Sequence, residues 1–254
     1  MKKIRRRISR FKKNKNKIDA VKKRLSFLPH LFTLGNAFFG FCSIVFAAHG
    51  EIGMSGRFIL LGALMDMLDG RIARLMGVAS DLGVELDSLS DLISFCVAPA
   101  FLIYVWQLKS FGFLGIVICS VFALAGLMRL ARFNIIHEQQ TIYFLGVPTT
   151  VAGCFLVSLV LYATEMTYDF WLTFFLALLI LILSWLMVSS VQFPTFKKSS
   201  FKFKNRYLLF AFIILFAFVA VMQFHVTLFS IFVLYFLYSF IRFFAKSRVG
   251  KNVL

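Results

Sequence analysis

Only eleven acidic side chains occur in 254 residues, and six of them, Asp66, Asp69, Asp81, Glu85, Asp87 and Asp91, fall in one 26-residue window. The run GALMDMLDG embeds Asp66 and Asp69 in apolar sequence, where a carboxylate is costly unless it faces protein, water or a metal. Asp81 and Glu85 lie in a more polar stretch that a solvated turn explains. At about 100° per helical residue, Asp66 and Asp69 stand roughly 60° apart and Asp87 and Asp91 roughly 40° apart, so each pair shares a face. A tight hairpin between the two helices then predicts a four-carboxylate cup. Like charges so close need a counter-charge, and hard oxygen donors without His or Cys partners suit Mg2+ or Mn2+. Gly70, Ala73 and Gly83 are interleaved with the acids, where small residues let a helix or ligand approach the backbone. Arg74, one turn beyond Gly70, is placed to reach a phosphate, and Ser80 adds a hydroxyl. Metal ligands and arginine beside a bilayer point to a lipid that carries a diphosphate.

The elements that must hold these residues are membrane helices. The chain is 60% hydrophobic and only 15% charged, against about a quarter charged in soluble domains. That composition excludes intrinsic disorder, and four scattered cysteines exclude a disulfide scaffold or structural zinc. The net charge of +17 is confined to blocks: thirteen Lys and Arg between Lys2 and Arg24, five between Lys197 and Arg206, and four between Arg242 and Lys251. Between long apolar runs such blocks mark the cytoplasmic side of a membrane protein rather than a nucleic-acid surface.

A spanning helix needs about 20 mainly apolar residues. On that measure the segments are approximately Leu28 to Ala48, Arg57 to Met76, Leu89 to Leu108, Phe111 to Leu130, Val147 to Thr164, Phe170 to Ser189, Tyr207 to Phe224 and Thr227 to Phe244. The expected fold is all-α, a polytopic transmembrane helical bundle of about eight spanning helices with both termini cytoplasmic. Its organisation reads as a basic cytoplasmic tail at 1–27, six catalytic membrane helices at 28–190, a basic cytoplasmic loop at 191–206, and two further helices with a basic C-terminus at 207–254. Pro99 falls inside the third segment and predicts a kink there.

Written out, Asp66-x2-Asp69-Gly70-x2-Ala73-Arg74-x8-Gly83-x3-Asp87-x3-Asp91 resembles the complete signature of the CDP-alcohol phosphatidyltransferases. The segments LPHLFTLGNAFFG, RLARFN at Arg129 to Asn134, and FLGVPTT at Phe144 to Thr150 resemble the bacterial phosphatidylserine synthase branch of that family, with departures at His30 and Val147. The resemblance implies two divalent ions held by Asp66, Asp69, Asp87 and Asp91, with Asp91 also the proton acceptor. It implies that Gly70, Arg74 and Ser80 contact the CDP-linked lipid, with Ala73 and Gly83 completing that binding surface, and that the protein is a homodimer. The implied reaction transfers the phosphatidyl group of CDP-diacylglycerol to the hydroxyl of L-serine. The implied location is the bacterial cytoplasmic membrane, with the active site facing the cytoplasm.

For the acceptor, Arg129 and Arg132 are expected to hold the serine carboxylate or the substrate phosphate with Asn134 assisting, the alternative being that both arginines only mark topology. A sibling transferase using glycerol 3-phosphate or an inositol compound, a cation transporter with the aspartates as an ion path, and a non-catalytic membrane scaffold are the competing functions. Carboxylates at one membrane edge disfavour transport, and a scaffold leaves the signature unexplained.

Overall fold

The computed structural model describes residues 27–76, 81–136, 144–164, 170–189, 192–193 and 229–234. The basic tail before residue 27, all of the loop expected at 191–206 except 192–193, the seventh span and most of the eighth lie outside the described residues.

The first two helices form a hairpin. Helix α1 (Phe27–Ala48) ends where Gly50 adopts a positive φ of 82°. The Glu51 amide donates to the Phe46 carbonyl and the Gly50 amide to the Ala47 carbonyl, each at 2.9 Å, which satisfies the last carbonyls of the helix and turns the chain. Helix α2 (Ile52–Met76) returns along α1 and makes its most extensive helix contact there. Far from the acidic residues this contact is fixed by a buried Ser43–Ser55 hydroxyl pair at 2.8 Å and by Phe46 stacked on Phe58 at 4.9 Å between centroids.

The next rod is helical throughout but changes pitch. Helix α3 (Asp81–Asp91) passes directly into a π-helical turn (Leu92–Val97) and then helix α4 (Ala98–Trp106). The sequence reading placed Asp81 and Glu85 in a turn and started the span at Leu89; the helix instead starts at Asp81. The expected kink at Pro99 takes the form of this π turn. Pro99 has no N–H for the Phe95 carbonyl one turn earlier, and the Ala98 amide bonds Ile93, five residues back. Gly153 comes so close to that stretch that a Cβ would overlap the Phe95 carbonyl.

A 3-10 turn (Leu108–Phe111) and Gly112, at φ 56°, reverse the chain into helix α5 (Phe113–Ile136). Helix α6 (Thr149–Tyr162) is apolar, with Gly153, Phe155, Leu156, Val157 and Val160 buried against α2, the π turn and α4. Its 14 residues fall short of a full span. Helix α7 (Phe170–Val188) packs on α5. A two-residue antiparallel pairing of β1 (Phe144–Leu145) with β2 (Gln192–Phe193) ties the approach to α6 to the segment after α7, in register Phe144 to Phe193.

Apart from that pairing the described residues are helical or turn. Four stretches, Pro29–Ala48, Leu82–Trp106, Phe113–Ile135 and Phe170–Val188, are long and apolar enough to cross a membrane. Their outward faces are apolar too, with Phe38, Phe41, Leu114, Leu124, Trp171 and Trp185 all exposed. Surface of this kind suits acyl chains and not water, so the protein is a membrane protein. Helix α2 has the length of a span, but Arg57, Asp66, Asp69, Arg71 and Arg74 lower its apolar character.

Candidate active site

The acidic residues converge where the last turns of α2 meet α3. One carboxylate oxygen each of Asp66, Asp69 and Asp87 lies within 4.8 Å of the others. Asp66 and Asp87 come from different helices and face each other across the cluster within hydrogen-bond reach, while Asp69 is buried. Asp91 stands one turn beyond Asp87 on the same side of α3, within electrostatic reach of all three and of the buried Arg129 guanidinium from α5. Three of the four signature aspartates therefore form one cluster, and the fourth stands one turn further along α3, within electrostatic reach of a buried cation.

Helix α1 supplies contacts that the acidic pattern did not reveal. Thr33 donates its hydroxyl to Asp69 Oδ2 at 2.8 Å, and Asn36 donates its amide to Asp91 Oδ1 at 3.4 Å. Both are buried, one helical turn apart on the face toward α2 and α3. The Ser94 hydroxyl, in the π turn just after Asp91, donates to the Asn36 carbonyl at 2.9 Å. Gly62 of α2 leaves the space that the Asn36 side chain occupies, since a Cβ there would stand 2.8 Å from Asn36 Oδ1. The available sequence signal was polar residues inside an apolar span, which are expensive and usually turned inward.

The remaining expected site residues fall as follows. The Gly70 amide bonds Asp69, and Gly83 lies in the first turn of α3. Ala73 and Arg74 lie on the last turn of α2, but their side chains are outside the described residues, as is Ser80 altogether. Arg132 is exposed and donates to the Val188 carbonyl at the end of α7 at 3.4 Å. Asn134 accepts from the Ser88 hydroxyl at 3.1 Å and donates to Glu85 Oε2 at 3.4 Å.

Comparison with known proteins decides what this geometry belongs to. The family model for CDP-alcohol phosphatidyltransferases matches residues 26–193. The chain belongs to this family. Among the CDP-alcohol phosphatidyltransferases it is 35% identical over 187 residues to the CDP-diacylglycerol--serine O-phosphatidyltransferase of Helicobacter pylori, covering 71% of this chain and 77% of the relative. It is 36% identical over 174 residues to the protein of that name in Bacillus subtilis, covering 68% and 93%. The archaetidylserine synthase of Methanothermobacter thermautotrophicus is 36% identical over 169 residues, covering 66% and 69%.

The donor set of this phosphatidyltransferase fits a hard divalent cation. All three clustered donors are carboxylate oxygens, and Asp87 Oδ1 is buried without a hydrogen-bond partner among the described residues. A buried carboxylate oxygen left unpaired is costly, and a cation bound within the cluster removes that cost. The three free thiols nearest the protein interior, Cys96, Cys119 and Cys154, are buried in apolar helices and are not part of the cluster.

Proposed function

We propose that this chain transfers the phosphatidyl group of CDP-diacylglycerol to the hydroxyl of L-serine, giving phosphatidylserine and CMP. The observation that carries the reading is the convergence of Asp66, Asp69 and Asp87 within 4.8 Å, with Asp91 beside them against Arg129. The relatives support the acceptor: their names pair serine with a phosphatidyl group in two cases and an archaetidyl group in a third, so the lipid varies while serine stays.

Asp66, Asp69, Asp87 and Asp91 would hold two Mg2+ or Mn2+ ions, which would supply charge neutralisation for the diphosphate and the leaving CMP. The chain's own residues do the rest. Gly70 and Gly83 admit the CDP-linked headgroup close to the backbone, and Ala73, Arg74 and Ser80 take the roles in binding it that the family signature implies. Asp91 takes the proton from the serine hydroxyl, which is otherwise a weak nucleophile at neutral pH. The serine oxygen forms a bond to the phosphorus attached to diacylglycerol, the diphosphate bond to CMP breaks, and CMP leaves with the negative charge. Arg129 holds the serine carboxylate, while the outward Arg132 and half-buried Asn134 border the acceptor's approach.

The surrounding organisation belongs to the same proposal. The blocks Lys2 to Arg24, Lys197 to Arg206 and Arg242 to Lys251 all fall on one side if the chain crosses about eight times, which puts both termini and the site on the cytoplasmic side of a bacterial inner membrane. The domains then run 1–27, 28–190, 191–206 and 207–254, and two copies pair as a homodimer.

One assay tests the reaction. Purified protein is incubated with CDP-diacylglycerol, Mg2+ or Mn2+, and either serine or glycerol 3-phosphate, and CMP is measured. Release with serine alone is expected. Release with glycerol 3-phosphate alone would move the chain to a sibling reaction, release with neither would turn the test to an inositol acceptor, and release with none of these acceptors would end the transferase assignment.

A further inference from the structure

The side chains of α3 and α5 meet in an antiparallel register that forms a polar seam. At its inner end Asp91 lies within electrostatic reach of the buried Arg129; at its exposed end Glu85 and Ser88 meet Asn134. Ser88 is three residues from both Glu85 and Asp91, so it stands between them on one side of α3. Asn134 spans the outer part, its Oδ1 receiving the Ser88 hydroxyl at 3.1 Å and its Nδ2 reaching Glu85 Oε2 at 3.4 Å. The inner end of the seam carries both a guanidinium and a carboxylate, and the exposed end carries the Glu85 carboxylate with no cation among the contacts described there. Among residues whose side chains are described, Glu85 is the one carboxylate at this end of the bundle outside the aspartate quartet.

An amino-acid acceptor brings three groups to such a seam. Its hydroxyl belongs at Asp91 and its carboxylate at Arg129, which leaves an ammonium with three N–H bonds to place. Glu85 Oε2, Asn134 Oδ1 and Ser88 Oγ are three oxygens that follow in sequence along the seam, one of them charged. A neutral polyol carries no cation for Glu85 to bind, and a phosphorylated acceptor meets repulsion there, so the same side chain that attracts one acceptor class rejects another.

Resting on the transfer to serine argued above, we propose that Glu85, held by Asn134 and Ser88, binds the α-ammonium of the acceptor and sets selectivity for a zwitterionic amino acid. Glu85 is exposed and can be changed without disturbing the core. The test uses the full purified chain and follows CMP release against serine, with 3-hydroxypropionate, which is serine lacking its ammonium, as competitor. Glu85→Gln is expected to raise the serine KM by about tenfold or more, the range for losing a hydrogen bond to a charged group. The inhibition constant of 3-hydroxypropionate and the KM for CDP-diacylglycerol should stay near those of the unaltered protein. Glu85→Asp, with its charge on a shorter arm, should recover part of the loss. A serine KM within twofold of the unaltered value, or a parallel rise in the serine KM and the 3-hydroxypropionate constant, overturns the proposal while leaving the transferase assignment intact. An unaltered protein that releases no CMP with serine removes the assignment, and this proposal with it.

Discussion

Replacing Asn36 with Ala probes the link between α1 and Asp91, the proposed proton acceptor. Asn36 is fully buried, and its side chain meets Asp91 Oδ1 at 3.4 Å, while its carbonyl receives the Ser94 hydroxyl at 2.9 Å. Alanine removes the first contact and keeps the second, because the second uses main-chain atoms, so α1 stays docked. A hydrogen bond to a charged group contributes about 1.5–3 kcal/mol, and each 1.36 kcal/mol on a barrier is about tenfold in rate. The 3.4 Å separation is long for such a bond, which places the expected loss near the lower bound, about a tenfold fall in kcat. Asn36 touches Asp91 and not the substrates in this arrangement, so the KM values for serine and CDP-diacylglycerol should move less than kcat.

Steady-state CMP release at saturating substrate reads this directly, with thermal unfolding in detergent as the check that the fold survives. Gly62→Ala strikes the same contact without touching Asn36: the new Cβ would stand 2.8 Å from Asn36 Oδ1 and 3.5 Å from its carbonyl oxygen, so the amide has to shift. Alanine also favours helix by about 1 kcal/mol over glycine, so this variant should lose activity while keeping much of its stability. An Asn36→Ala protein with kcat within twofold of the unaltered chain, or one whose loss falls in KM instead, would refute the positioning of Asp91 by Asn36.

Asp91→Asn should lower turnover by about 100-fold or more, the contribution of a general base, while CDP-diacylglycerol binding measured by calorimetry largely survives; full activity would remove Asp91 as the proton acceptor. Arg129→Lys should raise the serine KM about tenfold, since Arg129 is buried beside Asp91 and a point charge cannot replace its fork. Arg132→Lys should leave that KM within twofold, because the exposed Arg132 reaches only the Val188 carbonyl at 3.4 Å; a large effect would give Arg132 a direct place at the acceptor. Gly153→Ala should cost about 1–3 kcal/mol by overpacking against the Phe95 backbone, seen as a lower thermal midpoint; an unchanged midpoint would show that α6 can move away from the π turn.

What the sequence disclosed and what it concealed divide along a physical line. Asp66 with Asp69, and Asp87 with Asp91, are local pairs whose shared faces follow from helical rise and rotation alone, and closing the short connection between α2 and α3 brings the two pairs together. Segment lengths likewise follow from the thickness of hydrocarbon, and the ends found for α1 and α7 lie within a residue or so of the hydropathy limits. Thr33 and Asn36 sit 36 and 55 residues from the carboxylates they bind. Their role depends on how far α1 slides along α2, and hydrophobic periodicity carries no information about that register.

Small residues set that register, and their meaning is invisible until the partner helix is known. Gly62 makes room for one amide and Gly153 for one carbonyl, yet in sequence both are ordinary glycines of apolar helices. The π turn shows the same dependence. Pro99 announces a disturbance, but the π turn that precedes it and the close approach of Gly153 to Phe95 are not written in the local pattern. With the extra residue, Ser94 follows Asp91 on a wider turn and its hydroxyl meets the α1 backbone next to the amide that holds Asp91. The pitch change just before Pro99 thus brings the turn after Asp91 against α1, in a way that no local pattern specifies. Deleting one residue between Leu92 and Val97 would remove that extra residue and let the rod close as continuous α-helix, with α4 keeping nearly its phase against α6. Such a protein should still fold but lose the wider turn that seats the Ser94 hydroxyl on the Asn36 carbonyl.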